Sequence, residues 1–137
     1  MLSTLIMKNF GEKEDLNCAE KILYGANQAY DLNLDTNSLK MSAGFGGGMA
    51  IESVCGALSA SIMVLGLLFV KNNAHESSRI KDLTKELFTT YREEMGDIDC
   101  GPLKAKHRTE ELKCKNVILK AAQILDTIVK REIPTLR

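Results

Sequence analysis

The chain has 137 residues, enough for one domain with a core of its own; 45% are apolar, aromatics make up 5% and Trp is absent. Lys and Arg number 18 and Asp and Glu 18, so the formal net charge is zero, which argues against nucleic acid or an acidic membrane as a partner. Met1–Phe10 lacks the charged start, apolar middle and cleavage site of a secretory leader. The expected setting is therefore cytoplasmic, and the four cysteines read as thiols, metal ligands or redox groups rather than structural disulfides.

In chain order, Leu2–Phe10 reads as a short helix or an arm, and Gly11–Asp15 as a charged break. Asn17 is placed to cap a helix, with Glu20 three residues on as the other half of a capping box. Ile22, Leu23, Ala26 and Tyr30 then recur at helical spacing. Cys18 becomes the first helical residue, where the helix dipole favours thiolate, although a free cysteine can equally serve as a small buried apolar group. Thr36–Ala43 is expected as a short helix ended by Gly44.

Four of the ten glycines fall between Gly44 and Gly48, followed by the most apolar stretch of the chain. A long helix from about Ala50 to Val70 is expected there, apolar nearly all round and therefore central. Its uncharged part, Val54–Val70, has 17 residues, at the lower edge of a bilayer span, and Gly56, Ser59, Ser61 and Gly66 dilute it. No basic cluster or aromatic belt flanks it, so a buried helix is expected and no membrane span. Apolar residues all round it leave room for a homodimer contact. A second amphipathic helix, Ser78–Met95, carries Ile80, Leu83, Leu87, Tyr91 and Met95 on one stripe, with Gly96 placed to end it. Pro102 suits the first turn of a short helix after Cys100. The final helix reads from about Thr109 to Glu132, with Cys114 on its apolar face and Pro134 beyond its end. No strand alternation is sustained. The expected fold is all-α, a compact bundle of about five helices in one domain, 1–137.

The cysteines, Cys18, Cys55, Cys100 and Cys114, form no C-x-x-C pair. His75 and His107 lie in polar sequence and read as solvated, Asp97 and Asp99 read as turn and cap residues, and no phosphate-loop lysine follows the glycines. No catalytic constellation emerges, and whether the chain is an enzyme stays open. Each cysteine nevertheless lies near an expected helix start: Cys55 one to two turns in, Cys100 just before a short helix, Cys114 within two turns. Converging helix starts would bring four thiolates to several free N–H groups, which suits an iron–sulfur cluster or a zinc ion. Lys113 and Lys115 flank Cys114 and could offset negative charge.

Asn17–Leu23 (NCAEKIL), Gly44–Met49 (GFGGGM), Val54–Leu67 (VCGALSASIMVLGL) and the isolated Cys100 and Cys114 occur in that order. From about Leu16 to Val129 the chain resembles the redox-active proteins named for a C…GCAxxG…C…C cysteine pattern, and the same module is similar to the iron–sulfur domain of split-Soret cytochrome c. The family is common in anaerobes. The resemblance implies redox activity and a [2Fe–2S] cluster held by Cys18, Cys55, Cys100 and Cys114. The central motif departs from the pattern, with Val54 for the first glycine, Gly56 for the alanine and Ser59 for the last glycine. No haem motif accompanies it.

The leading expectation is a small protein using one four-cysteine site, with a [2Fe–2S] cluster, for electron transfer or redox sensing with an unknown partner protein. Gly46, Gly47 and Gly48 would let backbone approach that cofactor. Metal-free thiol–disulfide chemistry, structural zinc, and a helical interaction module with merely buried cysteines stay open beside it.

Overall fold

The computed structural model describes residues 1–135 of the chain, and among them seven α-helices form and no strand. They are α1 (Leu2–Met7), α2 (Cys18–Ala29), α3 (Thr36–Lys40), α4 (Gly56–Phe69), α5 (Arg79–Met95), α6 (Cys100–His107) and α7 (Lys115–Glu132). The all-α expectation holds. The number of helices exceeds five because Leu2–Met7 is helical and because α3 and α6 are separate short pieces.

α4 is the central post. Its first six residues, Gly56 to Ser61, are all buried, and it packs against α2, α5 and α7. Small side chains there let three neighbours come close, and Ser61 hides its hydroxyl by donating to the Ala57 carbonyl at 2.7 Å. At 14 residues α4 is about 21 Å long, short of a bilayer core. Among the described residues no helix is long and apolar enough to cross a membrane.

α5 and α7 are amphipathic and turn Leu83, Leu87 and Tyr91, and Val117, Ile118, Leu125 and Ile128, toward α4. The Tyr91 hydroxyl donates to the Val117 carbonyl at 3.0 Å, tying the two helices together. Gly96 ends α5 as expected, at φ 89, with its N–H on the Arg92 carbonyl.

The buried Asp126 of α7 holds the N-terminal helix. Its Oδ1 accepts from the Leu2 N–H at 3.0 Å and the Tyr30 hydroxyl at 2.5 Å, and its Oδ2 accepts from the Ser3 N–H at 2.8 Å. One carboxylate thus satisfies the free donors at the start of α1 and locks α1, α2 and α7 together.

Two helix starts differ from expectation, and both changes bear on the cysteines. α4 begins at Gly56, not near Ala50. Met49, Ala50 and Glu52 sit at φ 62, 65 and 56, which no α-helix tolerates, and the wide turn they form closes with the Ser53 N–H on the Gly48 carbonyl. α7 begins at Lys115, not Thr109. Residues 109–113 form a closed turn in which Thr109 and Lys113 exchange backbone hydrogen bonds, with Lys113 at φ 54. The helix expected over Thr36–Ala43 likewise stops at Lys40 and gives way to a short 3-10 turn, Ala43–Phe45.

Candidate functional site

Cys18, the first residue of α2, follows a complete capping box. The Asn17 carboxamide accepts from the Glu20 N–H and the Glu20 carboxylate from the Asn17 N–H, both at 2.9 Å. Asn17 also reaches across the chain, donating from Nδ2 to the Ala43 carbonyl at 2.9 Å, so the cap of α2 holds the start of the glycine loop. Cys55 is the residue just before α4, a correction to its expected place inside that helix. Cys100 is the first residue of α6, and Cys114 faces the core as expected, but from the cap of α7 and not from within the helix.

A short antiparallel clip brings two of these together. Val54 pairs with Asp99, the Cys55 N–H donates to the Ile98 carbonyl at 2.9 Å, and the Cys100 N–H donates to the Ser53 carbonyl at 2.6 Å. These bonds hold Ser53–Cys55 extended, which is the direct reason that α4 starts only at Gly56.

Cys18, Cys55, Cys100 and Cys114 line one small, partly enclosed cavity of about 20 Å³, walled by Leu103, Val117 and Lys104. All four are free thiols. Burial pushes the Cys55 thiol up to about 12; the nearby Cys18 adds to this, and the N–H groups of Ala57 and Leu58 oppose it without reaching full hydrogen-bond geometry. Burial also raises Cys100, opposed by the Lys104 ammonium, and raises Cys114, with Cys18 adding to it and the Arg108 guanidinium opposing. The thiols thus share one environment, the cavity that they line. The buried Tyr91 hydroxyl lies within reach of the same field, and burial, then Cys55, Cys114 and Cys18, raise it.

Lys104 lines the cavity, and the Arg108 guanidinium stands near Cys114. Lys113 lies in the 109–113 turn, and Lys115 turns away, its Nζ on the Met7 carbonyl at 3.0 Å and Asn9 Oδ1 at 2.8 Å. Sequence carried a signal for Lys104, which lies four residues and one helical turn beyond Cys100, whereas Arg108 is the extended residue just past the end of α6.

The glycines make room mostly for the protein itself. A Cβ on Gly46 would meet the Asn17 side chain at 2.4 Å, and one on Gly48 would meet the Ser53 backbone at 2.5 Å and Cys100 Cβ at 2.8 Å. Gly47 has open space but sits at φ 66, so its role is conformational. The glycine that touches a sulfur is Gly56, where a Cβ would come within 2.7 Å of Cys18 Sγ and 2.6 Å of the Phe45 carbonyl oxygen.

His107 is half-buried and its Nε2–H meets the Met95 carbonyl at 2.9 Å, a correction to the solvated reading; His75 is exposed in the Ala74–Glu76 turn. Asp97 accepts from the N–H groups of Ile98 and Asp99, which hold its carboxyl below the usual range, as a turn residue should. Among the described residues, no three His, Cys, Asp or Glu side chains are grouped as ligands of a single metal ion.

Residues 16–128 match the family described as "Putative redox-active protein (C_GCAxxG_C_C)", and the matched span contains all four cysteines. No curated protein and no solved structure matches the chain.

Proposed function

Since the chain belongs to this C_GCAxxG_C_C family of redox-active proteins, we propose that its four cysteines act as one redox site that takes a [2Fe–2S] cluster, for electron transfer or redox sensing. The observation that carries the reading is the single cavity lined by Cys18, Cys55, Cys100 and Cys114. Four thiols are the donor set such clusters use, and a two-iron cluster asks for two thiolates per iron rather than three or four around one ion. A tetrathiolate zinc ion would draw on the same four thiols, and metal analysis separates the two. The cavity, about one water molecule in size, requires the thiols to part on loading. The segments beside them that can yield are the turns at 48–52 and 109–113, which hold helix starts and not helix interiors.

When bound, the cluster supplies one-electron chemistry. The chain's residues supply the rest. Cys55, Cys100 and Cys114 keep their protons in the empty site, so loading releases protons and becomes more favourable as pH rises. The N–H groups of Ala57 and Leu58 stabilise charge on the Cys55 sulfur, and Leu103 and Val117 keep water out.

Anaerobic reconstitution with iron and sulfide tests the reading. Two irons per chain and visible absorption that bleaches on reduction are expected; colourless, iron-free protein would overturn it. The closeness of the thiols favours one second reading, metal-free thiol–disulfide exchange, which predicts a reversible loss of two free thiols on mild oxidation and no iron.

A further inference from the structure

Among the described residues, Lys104 is the one charged side chain in the wall of the cysteine cavity, four residues and one helical turn beyond Cys100. Its ammonium also meets Glu52 Oε2 at 3.0 Å. Glu52 comes from the turn just before Cys55, at φ 56, in a stretch where Met49 and Ala50 are also left-handed. Non-glycine residues in that region carry strain, and here the strained turn delivers a carboxylate to the cation beside the thiols. The turn packs on α6, and Gly48 within it lies against Cys100 Cβ.

We propose that Lys104 is a positioning residue that sets the charge at the thiol cavity and that Glu52 meters it, the carboxylate and the cavity sulfurs sharing one ammonium. This deepens the reading of the four cysteines as one site and rests on it. The charges perturbing the thiols agree, since Lys104 opposes the rise at Cys100 and at Cys114 while Glu52 adds to the rise at Cys100. Removing the ammonium leaves the Glu52 carboxylate beside the cavity without its cation. Removing the carboxylate gives the ammonium wholly to the sulfurs. The two changes must therefore act in opposite directions. They must also be coupled, because much of the effect of Glu52 passes through Lys104.

The test needs no metal. Reduced protein is alkylated with anionic iodoacetate and with neutral iodoacetamide at one pH, and labelling of Cys100 and Cys114 is followed by peptide mass. The ratio of the two rates cancels the thiolate fraction and reads the charge at the sulfurs. Lys104→Gln is expected to lower the ratio about threefold at low salt and Glu52→Gln to raise it about twofold. Glu52→Gln placed in the Lys104→Gln background should give less than half its own effect. Lys104→Arg keeps the charge and should keep the ratio, which separates charge from folding should Lys104→Gln melt early. A ratio unchanged in Lys104→Gln, or moved the same way by both single changes, would sink the proposal. In iron-loaded protein the reduction potential should fall in Lys104→Gln and rise in Glu52→Gln. If the ratio responds but no iron binds, the cluster reading fails and the role of Lys104 stands. If a cluster forms and neither ratio nor potential moves, the reverse holds.

Discussion

α7 carries two buried ionisable places about 18 Å apart along its axis, and they are built in opposite ways. At Asp126 two N–H groups and a hydroxyl converge on one carboxylate, and none of the residues that supply them has a left-handed backbone. At Cys114 and its three companions the thiols lie in a small apolar cavity where burial holds Cys55, Cys100 and Cys114 protonated. Backbone strain follows the same division. Of the eight non-glycine residues at positive φ among the described residues, Asn9, Asp15, Asp31 and Asn33 belong to types that adopt it cheaply. The other four, Met49, Ala50, Glu52 and Lys113, do not, and all lie within six residues of Cys55 or Cys114. A buried polar group whose bonds are complete is a fastener. Buried thiols beside strained turns are instead places that the surrounding structure must hold in shape, which is the pattern that the proposed site predicts.

The largest effect that separates the two ends is expected from Cys55→Ser. It removes the most buried thiol of the set and should abolish iron incorporation, or the thiol–disulfide couple if the site works without metal. The melting temperature should change little beside that loss, since Ser is close to Cys in size. Iron content and melting measured on one preparation check it.

Asp126→Ala is expected to do the reverse. It orphans the N–H groups of Leu2 and Ser3 and the Tyr30 hydroxyl, at a cost of about 3 kcal/mol in unfolding free energy. Iron loading of the protein that remains folded should be normal. Denaturant unfolding gives the first number; a variant that lost iron binding while staying folded would show that the two ends are not independent.

The fold was legible in sequence to the extent that local chemistry decided it. The Asn17–Glu20 box, the stripe on α5 and the Gly96 stop are written in neighbouring residues, and each formed where expected. The clip between Ser53–Cys55 and Ile98–Cys100 was not legible, because its two halves are 45 residues apart and neither alternates like a strand. That clip, not helix propensity, sets the start of α4 and makes Cys55 a cap. The convergence of four cysteines could be anticipated from their shared nearness to helix starts, whereas the cation at the site was assigned to the wrong neighbours. Lys113 and Lys115 are adjacent to Cys114 in sequence, but the Met7 and Asn9 partners take Lys115 elsewhere, and the cation in the cavity wall, Lys104, comes from α6. Asp126 gave no signal, since a carboxylate in a helix is ordinarily a solvated one.

The two ends also differ in their response to alkali. In the unfolded chain a cysteine ionises near 9.0, while in the folded, metal-free chain Cys55 holds its proton to about 12. Between these values the unfolded state has lost a proton that the folded state keeps, so stability is complete below pH 9 and falls as pH rises toward 12. The slope is at most about 1.4 kcal/mol per pH unit for one thiol. Reduced, metal-free protein followed by denaturant titration at several pH values should show this fall. Cys55→Ala should flatten it relative to the parent, whereas Asp126→Ala should lower stability evenly over the same range. A parallel fall in Cys55→Ala would mean that Cys55 is not the group responsible.

The smallest effect concerns strain alone. Gly47 and Gly44 both face open space, but Gly47 sits at φ 66 and Gly44 is not left-handed. Alanine at 47 must adopt a left-handed backbone and is expected to cost about 1 kcal/mol, whereas alanine at 44 should be neutral or slightly stabilising because it restricts the unfolded chain. Crowding cannot produce this difference, since neither added methyl meets an atom within 4 Å. A paired measurement therefore reads how firmly the loop is held in the conformation that sets Gly48 against Cys100. Equal stability of the two variants would mean that the loop relaxes out of its left-handed form at little cost, and the cysteine end would then be softer than its backbone angles imply.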